Sequence, residues 1–227
     1  PKLVPLVESG HTAAGDPALM AALADGAVFT VAVAQEPDSL NPLISEGGLA
    51  DELFLLCYDP LWRVDEYGSA VPCLVEDWSL SSDRLTWTIR LRRGVTFSDG
   101  YELTSADVQY SYELLRRNSR YADYFDGVTA IRCPDAYTVV ISTDYIKADM
   151  CLNPTPILPR HIWRDTTESS FDNTELIGSG PFVYCPDESG EDGWMLRARE
   201  EHFGHTANIG AVFFAYYGTV TGAARAG

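Results

Sequence analysis

The chain has 227 residues, 46% of them hydrophobic and 11% aromatic, and 33 acidic against 16 basic residues leave a formal net charge of −17. That much apolar material supports a full core, in one large domain or two small ones. The acidic surface repels nucleic acid and anionic lipid, which excludes both as partners, and no apolar run reaches the roughly 18 residues of a membrane-spanning helix.

The first residue is Pro1 rather than Met, which predicts a processed or trimmed N-terminus, with any secretion signal or lipid-anchor cysteine upstream. Residues 1–27 read as a lead-in segment with a short helix around Pro17 to Ala24. Phe29, Val31 and Val33 alternate with smaller or polar residues and predict a strand. Glu36 to Pro42 holds two prolines among turn formers and predicts an ordered loop. After Gly47-Gly48 a helix follows: Leu49, Leu53, Leu56 and Cys57 share one face, and Asp51 and Glu52 sit in the first turn, where the helix dipole favours them. Asp59-Pro60 stops it. Leu61 to Val64 predicts a short strand, Asp65 to Gly68 a turn, and Val71 to Trp78 a passage with Pro72 and a short helical turn.

The stretch Leu85 to Val108 is the most explicit in the chain. Leu85, Trp87, Ile89 and Leu91 alternate with Thr86, Thr88 and Arg90, the period of a half-buried strand. Ser98-Asp99-Gly100 is turn chemistry, and Thr104-Ser105-Ala106-Asp107 is a capping-box-like helix start. Val108, Tyr112 and Leu115 form that helix's apolar stripe. Tyr121 to Phe125 reads as an aromatic loop, and Gly127–Arg132 and Tyr137–Thr143 as strands around a Cys133-Pro134-Asp135-Ala136 turn. The prolines of Asn153 to Pro159 forbid helix, Pro159 to Trp163 opens a short one, and Gly178 to Pro181 is a tight loop into the strand Phe182 to Cys185. Strands at Trp194–Arg199 and Ala211–Tyr217 complete the pattern. Trp78, Trp87 and Phe97 read as core.

Catalytic signatures are missing: there is no GxSxG, HExxH, P-loop or GxGxxG, so the chain is not read as an enzyme. His202-Phe203-Gly204-His205 beside Glu200 and Glu201 has no metal-site spacing. The five cysteines, Cys57, Cys73, Cys133, Cys151 and Cys185, lack CxxC spacing, which argues against zinc. Two disulfides with one thiol left over, and free thiols used as small hydrophobes, both fit.

Five motifs in this order resemble the solute-binding proteins of ABC importers, in the extracellular family 5 that takes up oligopeptides, dipeptides, nickel and haem. They are Glu36-Pro37-Asp38-Ser39-Leu40-Asn41-Pro42; the Leu61 to Trp78 passage with its Pro-x-Leu-x-Glu-x-Trp pattern; the Leu85 to Val108 segment with Leu-Arg-x-Gly-Val-x-Phe, Asp-Gly, Leu-Thr and Ala-Asp-Val; Leu158-Pro159-Arg160-His161; and Gly178-Ser179-Gly180-Pro181-Phe182. Arg199-Glu200-Glu201-His202-Phe203 departs from the family's Arg-Asn-Pro-x-Tyr-Trp, which predicts different packing there. The resemblance implies an α/β (mixed α+β) fold of the class II periplasmic-binding-protein type, one lobe with a mixed twisted sheet flanked by helices. Residues 28–217 would be the first lobe, and 218–227 a tail before a second lobe that the chain does not contain. Such a lobe leaves a sheet edge or apolar patch uncovered and is expected to self-associate.

The resemblance also implies the chemistry. Two lobes close on a ligand, and a membrane ABC permease reads the closed form. The ligand is a short peptide or another small solute, no cofactor is involved, and the protein sits outside the cytoplasm, in the periplasm or as a cell-surface lipoprotein. Glu46 falls where peptide binders present a carboxylate, and Gly47 and Gly48 allow close backbone approach. The plainer reading of Glu46 is a solvated residue ahead of a helix. Tyr121 and Tyr124 line the cleft with rings suited to a peptide, or else pack under a loop. Gly178, Ser179 and Gly180 border the cleft, or form a turn that delivers Phe182 to the core. Binding of nickel or haem, and a sensing or interaction module with no transport role, stay open as alternatives.

Overall fold

A computed structural model describes residues 28–167, 170–204 and 209–218. The lead-in with its expected helix at Pro17–Ala24, and most of the C-terminal tail, lie outside the described residues. In chain order the elements are β1 (Val28–Val33), α1 (Leu49–Cys57), β2 (Trp62–Val64), β3 (Ala70–Pro72), β4 (Val75–Leu80) and β5 (Thr86–Leu91). Then come α2 (Ser105–Leu115), β6 (Val128–Asp135), β7 (Thr138–Thr143), the single-turn α3 (Arg160–Trp163), β8 (Phe182–Tyr184), β9 (Gly193–Ala198) and β10 (Ala211–Tyr216).

Among the described residues the strands form two four-stranded sheets, the first of them mixed as expected, and a hairpin. The first sheet has the order β1-β10-β9-β8, with β1 parallel to β10 and the other pairs antiparallel. The second, β4-β5-β7-β6, is antiparallel throughout. The β2–β3 hairpin stands apart from both.

The alternation expected from Leu85 onward is matched in β5, where Trp87, Ile89 and Leu91 are buried and Arg90 is exposed. The capping box is present at α2: the Asp107 carboxylate accepts the Thr104 N–H (2.8 Å) and hydroxyl (2.9 Å). Its other oxygen accepts the Arg160 N–H at 3.0 Å, so one side chain starts two helices. Val71 to Trp78 contains no helical turn. It is β3 and β4, because β2 and β5 offer pairing partners and Pro72 sits at a hairpin end, where its missing donor costs little. Trp78 is 45% exposed rather than core. It lies opposite buried Ile89 on the same face and meets Trp62 edge-on at 6.3 Å, but β4 is an edge strand and the indole ring stays half in solvent. Tyr121–Phe125 is tighter than a loop, with a 3-10 turn over Ala122–Phe125.

Two cores result. One gathers Trp62, Trp87, Ile89, Phe97, Tyr112 and Ile141 under the second sheet. The other packs α1 and Trp163 on the first sheet. α2 divides them, sending Val108, Tyr112 and Leu115 into the first and Leu114 into the second. All five cysteines are free thiols, and burial pushes the Cys57 thiol up to about 12.

Candidate functional site

The loop before α1 is built from its own polar side chains. Asn41 is fully buried; its Oδ1 accepts the Leu43 N–H at 2.8 Å and its Nδ2 donates to Phe171 O at 2.8 Å. Asp38 accepts the Ser45 hydroxyl (2.9 Å) and the Glu46 N–H (2.5 Å), and Ser45 Oγ in turn accepts the Gly47 N–H. Partial burial pushes the Asp38 carboxyl up, but the hydrogen bonds from Glu46, Ser45 and Ser39 outweigh it and hold the group below its ordinary value of 3.8. Gly47 (φ 115°) and Gly48 (φ 67°) then turn the chain into α1 through backbone conformations that L side chains rarely adopt. A side chain at Gly48 would meet only open space, so its outer face is free.

The segment after α2 is fastened to this loop. Asn118 Nδ2 donates to Leu43 O at 2.7 Å. Arg120 donates to Ser45 O at 2.6 Å, ion-pairs with Asp51 in the first turn of α1, and lies 5.6 Å from the Tyr121 ring centroid. Five of the sequence-derived candidates therefore meet at one rim. Glu46 and Gly48 are exposed, Tyr124 is 40% exposed, Gly47 lies against Asp51, and Tyr121 is buried beneath. Burial pushes the Tyr121 hydroxyl up to about 12, with Arg120 opposing and Asp51 and Tyr124 adding to the rise. Tyr121 thus packs under the rim, while Tyr124 faces out from it.

The other three candidates lie elsewhere. Gly180 N–H donates to Cys57 O at 2.8 Å, at the C-terminal end of α1, whereas Gly48 caps its N-terminal end. The nine-residue helix separates them by roughly 13 Å. A Cβ on Gly178 would lie 2.0 Å from Cys57 O and one on Gly180 2.4 Å from Leu56 O, so both glycines serve close packing. Ser179 is fully buried. Arg199 fastens this turn to the other core, donating to Ser179 O, Thr96 O and Phe97 O.

Sequence reasoning missed Asp38, Asn118 and Arg120, which organise the rim. It also missed Asp59, fully buried after α1, which accepts Arg63 Nη2 (2.5 Å) and lies 3.2 Å from His202 Nε2 and 3.4 Å from Cys73 Sγ. Here the departing Arg199–Phe203 passage earns its difference: His202 joins Asp59, and Phe203 packs on the second sheet's core. Burial, with Asp59 beside it, pushes the Cys73 thiol up to about 12, so it is not an activated nucleophile. His205 lies outside the described residues, and among those described no group of three or more His, Cys, Asp or Glu is disposed to hold a metal ion.

Beside the rim, an open groove of about 840 Å3 runs between α1 and the β1 end of the first sheet. Its walls are apolar and include Phe29, Val31, Leu49, Leu56, Val212 and Phe214, with Gly48 and Glu52 at its margin.

Comparison with known proteins agrees with this architecture. Over 168 residues the chain is 32% identical to Protein XP55 of Streptomyces lividans, covering 71% of this chain and 30% of that protein. It is 26% identical over 179 residues to the oligopeptide-binding protein AppA of Bacillus subtilis, covering 74% and 33%. The chain thus spans about a third of the length of these curated relatives. The crystal structure of AppA with a nonapeptide superposes with a TM-score of 0.73 at 23% identity, over 84% of this chain and 40% of that one. NikZ from Campylobacter jejuni, in complex with Ni(L-His), gives 0.72 at 22% identity, over 83% and 39%. Both share the fold. Residues 69–226 match the family model "Bacterial extracellular solute-binding proteins, family 5 Middle", and the chain belongs to that family.

Proposed function

We propose that this chain is part of the substrate-binding component of an ABC importer, which captures short peptides outside the membrane and delivers them to a permease without catalysis. The observation that carries the reading is that Glu46 and Gly48 face solvent on a loop held in place by Asn118 and Arg120, with Tyr124 exposed in the 3-10 turn that follows those two residues. A pre-ordered loop presenting a carboxylate and an aromatic ring meets a peptide without first losing conformational entropy. The family supports the reading, as does a relative named an oligopeptide-binding protein.

In this reading residues 28–217 act as the first lobe, followed by a short tail at 218–227, and a second lobe elsewhere in the gene product closes over the rim. Tyr121 supports the rim from below, and the buried Gly178-Ser179-Gly180 turn fixes the far end of α1, the helix that the rim opens. The protein works extracytoplasmically, in the periplasm or as a lipid-anchored surface protein.

Calorimetry of the full gene product against a pool of short peptides tests it. Saturable heat is expected, and Glu46→Gln weakens binding about tenfold, the loss of one charge-assisted contact. Heat only with nickel chelates or haem overturns the peptide assignment. No heat with any of these favours a sensing or interaction module instead.

A further inference from the structure

The Arg199–Phe203 passage, where the sequence departs from the family pattern, gives His202 a defined place inside the protein. Its side chain is 7% exposed, and the Phe203 ring lies 4.4 Å from the imidazole, centroid to centroid. Both ring nitrogens are engaged. Nε2 lies 3.2 Å from Asp59 Oδ2, and the Gly204 backbone N–H donates to Nδ1 at 3.2 Å. A backbone N–H only donates, so Nδ1 carries no proton. A neutral imidazole has one N–H, which therefore sits on Nε2 and is donated to Asp59.

Asp59 needs no charge from the ring. Its Oδ1 pairs with Arg63 at 2.5 Å and accepts the Cys73 thiol at 3.4 Å. Arg199 lies close by: burial lowers the pKa of its guanidinium, against the pull of Asp59, Asp99 and Glu201. The groups around the imidazole are thus Asp59 after α1, Arg63 of β2, the Cys73 thiol after β3, and Arg199 and Glu201 at the end of β9.

The two contacts of the ring respond differently to a proton. At Nε2 the N–H stays, and its bond to Asp59 becomes charged on both sides. At Nδ1 a new N–H faces the Gly204 N–H, donor against donor. Gly204 is exposed, so water can accept from the new N–H as the glycine moves off.

We infer that His202 is an acid-sensitive latch on the β9–β10 connection: neutral, it holds both Asp59 and Gly204; protonated at Nδ1, it keeps Asp59 and releases Gly204. The latch acts within this chain whatever solute the protein binds, so its test is separate from that of peptide capture.

NMR of the full gene product with isotope-labelled histidine and glycine tests it at about pH 8 and about pH 5, on either side of the range in which histidines change charge. At the higher pH His202 Nδ1 should resonate as an unprotonated ring nitrogen, and at the lower as a protonated one. Over the same step, protection of the Gly204 amide against solvent exchange, relative to the free-peptide rate at each pH, should fall at least about threefold, the loss of one neutral hydrogen bond. In His202→Asn the side-chain Oδ1 can accept the N–H two residues on and takes up no proton, so Gly204 protection should hold steady. An Nδ1 that keeps one protonation state across the step overturns the latch. So does unchanged Gly204 protection in the wild type, or a fall of the same size in His202→Asn. The wild-type nitrogen spectrum and Gly204 exchange decide by themselves if that variant does not fold.

Discussion

Arg120 does more for the rim than any residue on it. It joins Ser45 of the loop to Asp51 of α1 and lies beside Tyr121. Both ends of its ion pair are partly solvated, at 29% and 40% side-chain exposure, so screening leaves the set worth about 1 kcal/mol. Arg120→Ala should lower the melting temperature by roughly 2–4 °C and loosen the loop, seen as faster amide exchange at Ser45 to Gly48. Asp38 gives a pH signature. Its pKa is depressed in the folded state, so its contribution is present above the ordinary value of 3.8 and is lost as pH falls through the folded value. Asp38→Asn should therefore melt below wild type near neutral pH, and the two curves should converge in strong acid. A gap that widens on acidification would reverse that sign. Glu46 was legible as an exposed residue before a helix. Arg120 was not, because its partners lie 75 and 69 residues away and carry no local pattern.

At the scale of elements, α1 is positioned by what touches its two ends. Its start is opened by Gly47 and Gly48, and its end is pressed by the Gly178–Pro181 turn. Gly180→Ala puts a methyl group 2.4 Å from a backbone carbonyl, an overpacking cost of about 2 kcal/mol, or a melting temperature lower by roughly 4–8 °C. Gly190 has open space around its Cα and no left-handed backbone, so Gly190→Ala should leave the melt unchanged. The motif Gly178-Ser179-Gly180 was visible in the sequence, but not its role. A loop that lines a cleft and one that packs a helix end need glycine for the same reason, the lack of a side chain. In the same way β5 was legible from its alternation, while Trp78 was misjudged because pairing opposite Ile89 puts it on the core face without covering it.

Across the whole molecule, two cores meet along α2 and are tied together by polar hubs. Arg199 reaches from the end of β9 to Thr96 and Phe97. Asp59 holds Arg63 of β2 and His202 of the β9–β10 connection while fully buried. Removing one partner from such a group strands the others. Arg63 is 43% exposed and can find water, so Asp59→Ala should cost about 3 kcal/mol, the low end for a buried pair. Calorimetric melting should show a fall of roughly 6–12 °C, with amide exchange rising first in the β2–β3 hairpin and at His202. A uniform rise across both sheets would instead make the two cores a single cooperative unit. What the sequence by itself determined is the local grammar: which runs are strands, where α1 and α2 begin, and which family owns the motif order. Periodicity, glycine and caps act within a few residues, so they can be read in a line. What only the tertiary structure decided is that the strands divide into two sheets and that Asn118 and Arg120 bind the rim together. Those outcomes depend on contacts between residues far apart in the chain, and no local pattern records them.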